Sequence, residues 1–367
     1  MSEPTNGSAD ARLADIRRCI DEVDEQLQAL MNKRATLVQD VGKIKSQQGD
    51  EARLYRPARE AEVLHAVAAR NQGPLKTETI ILLFRELMSA CLALEGGVKV
   101  AYFGPAGTYT QGAMHKHFGH GVDAIPLPGI AEVFREVESG SVNYGVVPVE
   151  NSTEGGVTHT LDRLARSPLR ICGEVQLPIH HCLLSQAADL KLIKEVRAHA
   201  QSLAQCREWL DTYLPDAHRL AVSSNAEAAR QTATTPGVAA IAARQAAEVY
   251  GLGLLAENIE DEPDNTTRFL VLGKEAVRST GRDKTSLMLA AANKPGALYR
   301  LLEPFSNHGI TLTRIESRPS RRSSWDYNFF LDFEGHEEDA LVRQALDEVR
   351  SEAMIFKVLG SYPRPVY

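Results

Sequence analysis

The stretch LADIRRCIDEVDEQLQALMNKRATLVQDVGKIK, residues 13–45, decides how the first part of the chain folds. Apolar residues stand at Leu13, Ile16, Ile20, Val23, Leu27, Leu30, Leu37, Val41 and Ile44. Steps of three and four build the seam of a long amphipathic helix that packs on other helices. Arg34 breaks the seam, four residues after Leu30 and three before Leu37. A guanidinium withdrawn from water is costly without an anion, so Arg34 requires a carboxylate, from a neighbouring side chain or from a ligand.

Around this helix, residues 10–95 carry helical patterns only. The first helix spans about 11–47; a second follows Pro57 to Asn71 and stops at Gly73-Pro74. A third covers about 77–94 and stops at Gly96-Gly97. Two short helices leave the far end of a very long one uncovered, so a partner chain is expected.

From Val98 short apolar strands alternate with helices, an α/β pattern. Strands are expected at 98–103, 143–149, 180–185, 195–200, 218–223, 237–242 and 267–273. Helices are expected near 110–118, 129–139, 202–213, 225–233 and 243–250. A polar stretch, KEAVRSTGRD (274–283), then sets off a compact last unit. Its order is strand 284–292, helix 295–308, strand 310–318, strand 325–333, helix 336–350 and strand 353–360, a βαββαβ unit of ferredoxin-like type.

The bulk numbers bound the function. A chain of 367 residues holds two or three domains. A net charge of −7 argues against general nucleic-acid binding. Five scattered cysteines without a C-x-x-C pair suit reduced thiols in a cytosol. No stretch reaches transmembrane length, so a cytoplasmic protein without membrane association is expected.

Three turns of helix separate Arg34 from Lys45, so both face one side and reach a small ligand between them. Arg17 lies about 25 Å from Arg34 along the axis and roughly 100° round it, so any help from Arg17 comes from a second subunit. Arg59-Glu60 opens the second helix and Glu95 closes the third. This set resembles the all-helical, intertwined dimeric chorismate mutases over residues 10–95, on Arg17, Arg34, VGKIK ending at Lys45, and Arg59-Glu60. The resemblance implies that Arg34 and a partner's Arg17 clamp the two carboxylates of chorismate. It also implies that Lys45 serves the ether oxygen and Glu60 the ring hydroxyl. A pericyclic rearrangement needs orientation and electrostatic stabilisation, with no nucleophile. The chain departs from the family pattern at Arg56, Cys91 and Glu95, where some relatives have an acid, a serine and a glutamine. Glutamate donates a hydrogen bond only when protonated. Either Glu95 has a raised pKa, then, or mutase activity falls as pH rises through its titration; a flat profile unchanged by Glu95→Gln contradicts both.

Three further motifs sit at strand ends: GPAGTYTQG (104–112), VPVENSTEGG (147–156) and NTTRF (265–269). Polar residues at strand ends facing a crevice are the usual site in open α/β sheets. In this order they resemble prephenate dehydratase across about 98–273, a fold of two periplasmic-binding-protein-like lobes. On that pattern the first lobe is 98–177 with 261–273, and the second is 178–260. The resemblance implies Thr267 as the key residue, with Asn151, Ser152, Thr153, Gln205 and Arg268 positioning prephenate. Ala198 stands where some relatives have serine.

Two tempting motifs read as structural. GLGLLA (251–256) follows a helix rather than a strand, so it is a turn and not a dinucleotide fingerprint. His180-His181-Cys182 lacks a further ligand pair at metal spacing, so strand packing accounts for it and neither metal nor cofactor is expected.

In the last unit Pro295 suits a first helical position, and Gly296 permits close approach of a ligand. GALY (296–299) with ESRP (316–319) resembles the ACT domain, which binds phenylalanine between paired domains. The resemblance implies a site of Gly296, Ala297, Leu298, Glu316, Ser317, Arg318 and Pro319; Arg321 and Arg322 read as a solvated loop. Domains are therefore expected at 10–96, 98–274 and 284–362, joined as in the bifunctional chorismate mutase–prephenate dehydratase family. That implies conversion of chorismate through prephenate to phenylpyruvate, inhibition by phenylalanine, and at least a homodimer. Two other readings stay open: a dehydratase with a vestigial mutase domain, and a non-catalytic amino-acid sensor.

Overall fold

In the computed structural model, residues 6–47, 55–291, 294–319 and 327–366 are described. Lys45 lies within a helix, but its side chain falls outside the description, as do Arg321 and Arg322.

Three helices come first: α1 (Asn6–Gln47), α2 (Pro57–Arg70) and α3 (Thr77–Ala93). Pro57 opens α2, where its missing N–H costs nothing. Ala58, Ala61, Leu64 and Val67 repeat at helical spacing and form its buried stripe. The expected seam of α1 is present but uncovered: Leu13, Ile20, Leu27 and Leu30 are 50%, 53%, 49% and 63% exposed. Among the described residues α1 becomes half-buried only near Arg34, Val38 and Gly42, where it meets α3.

The central region forms two lobes. The first holds β1 (Lys99–Phe103), β2 (Asp123–Leu127), β3 (Tyr144–Asn151), β4 (Gly155–Gly156) and β5 (Arg170–Pro178). Helices α4 (Tyr109–Phe118), α5 (Ile130–Ser139) and α6 (Thr158–Leu164) cover it. The second holds β6 (Cys182–Ser185), β7 (Glu195–His199), β8 (His218–Val222), β9 (Val238–Ala242) and β10 (Gly253–Ala256). Its helices are α7 (Ala200–Gln205), α8 (Arg207–Tyr213), α9 (Asn225–Thr232) and α10 (Gln245–Tyr250). The chain then returns as β11 (Thr266–Gly273) into the first sheet, whose order is β2-β1-β3-β11-β5, with β4 on β3. The second sheet runs β10-β6-β9-β7-β8.

Several elements here were not foreseen from sequence. β2 contains Pro126, which its edge position tolerates. In β5 the Gly173-Glu174 pair interrupts the apolar run, yet Glu174 is buried by ion pairs. GLGLLA is a turn only at Gly251, which closes α10 in the left-handed region; from Gly253 it is β10, antiparallel to β6.

The last unit comprises β12 (Asp283–Ala290), α11 (Ala297–Asn307), β13 (Leu312–Pro319), β14 (Tyr327–Glu334), α12 (Ala340–Glu352) and β15 (Ile355–Pro363). Its antiparallel order β13-β14-β12-β15 is the expected ferredoxin-like sheet. The helix starts at Ala297, two residues later than Pro295 suggests. Gly296 takes the N-cap at φ 76°, a left-handed conformation that glycine adopts without strain. Met288, Phe330, Leu359 and Tyr362 share one core with Val147, Val149, Leu270 and Leu272, so this sheet is fused to the first lobe. No helix among the described residues is long and apolar enough to cross a membrane.

Candidate functional sites

A cavity of about 340 Å³ lies between α1, α2 and α3. Arg34, Arg56, Arg59, Glu60, Cys91 and Glu95 line it together, although the sequence scatters them over three helices. Nη1 of Arg34 is buried and has no hydrogen-bond partner among the described residues. Buried guanidinium nitrogens normally find an acceptor, so this one is an exception that borders open space. Glu95 packs over Gly42: a Cβ added to that glycine would sit 3.3 Å from Glu95 Cγ. Arg17 is exposed on the uncovered half of α1, away from this cavity.

Sequence reasoning missed Tyr55 and Arg85. The Arg85 guanidinium stands 3.7 Å from the Glu60 carboxylate. Burial raises the Glu60 carboxyl from its ordinary 4.5 to about 7, against the opposing pull of Arg85 and a hydrogen bond with Tyr55. Nothing in the spacing of Arg85 marks it out, since only the packing of α3 on α2 delivers it.

The second site sits where the lobes meet. Antiparallel register places Thr267 opposite Asn151. The Asn151 amide donates to Thr267 Oγ1 and to Asn265 Oδ1, each at 2.8 Å. Thr153 Oγ1 donates to Asn151 Oδ1 at 2.6 Å. Ser152 Oγ approaches Asn265 Oδ1 at 3.4 Å and accepts from the Thr266 amide at 2.9 Å. From the other lobe, Gln205 Nε2 reaches Thr153 Oγ1 at 3.3 Å. Thr267, Asn151, Ser152, Thr153 and Gln205 therefore assemble as one group.

Arg268 does not join them. Successive strand residues face opposite sides, so its side chain leaves the face of β11 that carries Thr267. It donates to Glu174 at 2.7 Å, to Asp332 at 2.5 Å and to Tyr362 at 3.0 Å, all buried. The expectation that Arg268 positions a ligand beside Thr267 is corrected: it ties the first lobe to the ferredoxin-like sheet.

GPAGTY forms the turn between β1 and α4. The Gly107 amide donates to Gln111 Oε1 at 2.7 Å, and Tyr250 of the second lobe donates to Ala106 O at 2.8 Å. The turn is thus a lobe-to-lobe contact whose amide is already engaged. His181 departs from simple strand packing as well. It is 1% exposed and stands 3.0 Å from both Gln205 Oε1 and Tyr109 Oη. Burial lowers its pKa, opposed by Gln205 and Glu260. Among the described residues no group of three or more His, Cys, Asp or Glu is placed to hold a metal.

In the last unit Gly296, Ala297 and Leu298 open α11, and Glu316, Ser317, Arg318 and Pro319 lie on the edge strand β13. Ala290, Asn328 and Arg318 stand in one row across the sheet. Glu316 abuts the ENSTEGG loop, since a Cβ on Gly156 would overlap its carboxylate.

Comparison with known proteins matches three successive segments of the chain. Family models match residues 16–96 (chorismate mutase type II), 100–277 (prephenate dehydratase) and 285–351 (ACT domain). A bifunctional chorismate mutase/prephenate dehydratase of Pseudomonas aeruginosa is 52% identical over 359 residues, covering 97% of this chain and 98% of its own. One of the same name from Neisseria gonorrhoeae is 48% identical over 353 residues, covering 95% of this chain and 96% of its own. The crystal structure of a prephenate dehydratase from Arthrobacter aurescens in complex with L-Phe is similar with a TM-score of 0.68 and 36% identity. It covers 73% of this chain and 90% of that one.

The Glu60 carboxyl makes stability depend on pH with a definite sign. Between its ordinary 4.5 and about 7, the folded chain holds a proton that the unfolded chain has released. Stability present at low pH is therefore lost as pH rises through about 7. Glu60→Gln, always neutral, removes this contribution. Urea midpoints measured at about pH 5 and about pH 8 should fall less for Glu60→Gln than for the native chain.

Proposed function

This chain belongs to the bifunctional chorismate mutase/prephenate dehydratase family, and on that premise we propose how its two sites divide the work. The reading takes residues 10–96 as the mutase, 98–274 as the dehydratase and 284–362 as the ACT domain.

In the helical cavity, chorismate rearranges to prephenate within one molecule: a C–O bond breaks, a C–C bond forms, and no external reagent is consumed. Arg34 holds one carboxylate, and Arg17 of a second copy holds the other. Lys45 and Glu95 serve the ether oxygen, Glu60 the ring hydroxyl, and Arg56, Arg59 and Cys91 shape the wall. The buried, unpartnered Nη1 of Arg34 is the observation that carries this reading. It also favours a working mutase over a vestigial one. The apolar seam of α1 supports the dimer, because half-exposed Leu13, Ile20 and Leu27 form a stripe that a second copy of α1 would cover.

At the lobe junction, prephenate loses CO₂ as the C–C bond to its ring carboxylate breaks. That electron pair enters the ring and the C–O bond to the hydroxyl breaks, giving phenylpyruvate and, with one proton, water. Thr267 accepts from Asn151, which leaves its own O–H for the departing hydroxyl. Ser152, Thr153 and Gln205 hold that arrangement. Phenylalanine then binds the ACT domain at Gly296, Ala297, Leu298 and the 316–319 segment, and inhibits. The bound L-Phe named for the Arthrobacter dehydratase supports this assignment. Five unpaired cysteines, four of them buried, suit a reducing cytoplasm.

Two experiments test the division. Thr267→Val should lower dehydratase turnover by about 10²-fold or more while chorismate consumption continues at the native rate; retained phenylpyruvate formation contradicts the role of Thr267. Arg17→Ala and Arg34→Ala should each abolish most mutase activity, and verified mixed dimers of the two should recover part of it through one intact site. No recovery in such dimers excludes a shared site.

A further inference from the structure

We propose that His181 is a positioning residue of the dehydratase, anchoring a one-way hydrogen-bond chain that aims the Thr267 hydroxyl. The inference rests on the reading of Thr267 as the group that serves the departing hydroxyl, and it explains how that hydroxyl is oriented.

The direction of the chain follows from groups whose hydrogens have fixed positions. Asn151 Oδ1 receives the backbone amides of Thr153 and Glu154 at 3.1 and 3.2 Å. Backbone N–H groups only donate, so the oxygen of this amide is settled and its nitrogen faces Thr267 and Asn265. Thr153 Oγ1 spends its single proton on the same Oδ1 at 2.6 Å. It therefore accepts from Gln205, which places the Gln205 nitrogen toward Thr153 and its oxygen toward His181. A carbonyl oxygen cannot donate, so His181 must carry its hydrogen on Nε2. On the far side of the ring, Nδ1 lies 3.0 Å from Tyr109 Oη, whose one proton has two acceptors in reach, Nδ1 and the His180 carbonyl at 2.7 Å.

The order is then His181 to Gln205, Thr153, Asn151 and Thr267, each donating to the next. The last free donor is the Thr267 O–H. A threonine hydroxyl left alone rotates among several acceptors, whereas a chain of aligned bonds polarises its members and holds one direction. The chain also crosses from the second lobe to the first, so it is complete only when the lobes are together. His181 is buried, its ring is held between Tyr109 and Gln205, and its backbone amide donates to Glu260 at 2.7 Å.

The test separates donation at Nε2 from mere space filling. His181→Gln keeps an N–H near the Nε2 position; His181→Asn keeps a polar group only near Nδ1; His181→Phe keeps the ring shape alone. With prephenate as substrate, Gln should hold kcat within about threefold of native, while Asn and Phe lose about tenfold to a hundredfold. KM should stay within about twofold throughout. Chorismate mutase turnover by the same chains reports whether each variant is folded. Where His181→Phe proves unfolded, Gln205→Glu replaces the middle donor at constant shape and should show the same kcat loss. Equal losses for Gln and Asn, full kcat in a folded Phe variant, or an effect confined to KM would overturn the proposal. Thr267→Val measured alongside keeps the two readings apart. Retained dehydratase activity there refutes the role of Thr267 itself, whereas a dead Thr267→Val with native His181→Phe refutes only the chain.

Discussion

The pairing of β3 with β11 is the constraint on which the dehydratase half depends. These strands run antiparallel, with Thr267 opposite Asn151 and Arg268 opposite Glu150. A pleated strand sends alternate side chains to opposite faces, so one register creates two environments at once. One face presents Thr267 and Asn151 to the junction of the lobes. The other directs Arg268 to Glu174, Asp332 and Tyr362, and brings Glu150 within 2.7 Å of Arg314. A slip of one residue would exchange the two sets and lose both.

The Arg268 cluster is held by compensation. A buried guanidinium is tolerable because two carboxylates and a phenol receive its protons, and Lys284 balances Glu174 in turn. Removing one member of such a set typically costs about 3–5 kcal/mol, because the remaining charge stays buried. The same cluster fuses the ACT sheet to the strand that carries Thr267. Glu316 against Gly156 adds a second point of contact, so the edge strand of one domain touches the polar loop of the other.

The mutase half rests on the same physics with a different outcome. Arg34 also carries a guanidinium nitrogen withdrawn from water, but the described chain supplies no acceptor for Nη1. In one place the cation is satisfied by protein and becomes structural; in the other one of its nitrogens stays without an acceptor among the described residues. Tyr55 and Glu60 line both this cavity and a larger one of about 560 Å³ where the three domains meet. The wall of the first site is thereby part of the joint between domains.

Much of this was legible in the sequence because it depended on local periodicity and on side-chain chemistry. The seam of α1, the misfit of Arg34, the switch to α/β grammar and the βαββαβ order all follow from spacing along the chain. The grouping of Asn151 with Thr267 came instead from the likeness of the three strand-end motifs to the prephenate dehydratases. What the sequence could not decide depended on which face a side chain takes and on what another segment brings to it. Arg268 sits beside Thr267 in the chain yet serves the opposite face. His181 reads as a packed strand residue until Gln205 and Tyr109 arrive from α7 and α4. Glu60 is an ordinary carboxyl until α3 buries it beside Arg85. Residue type and spacing, local properties of the covalent chain, determined the elements and their candidate chemistry; burial and partnership belong to pairs of residues far apart in sequence, and only the tertiary structure decided them.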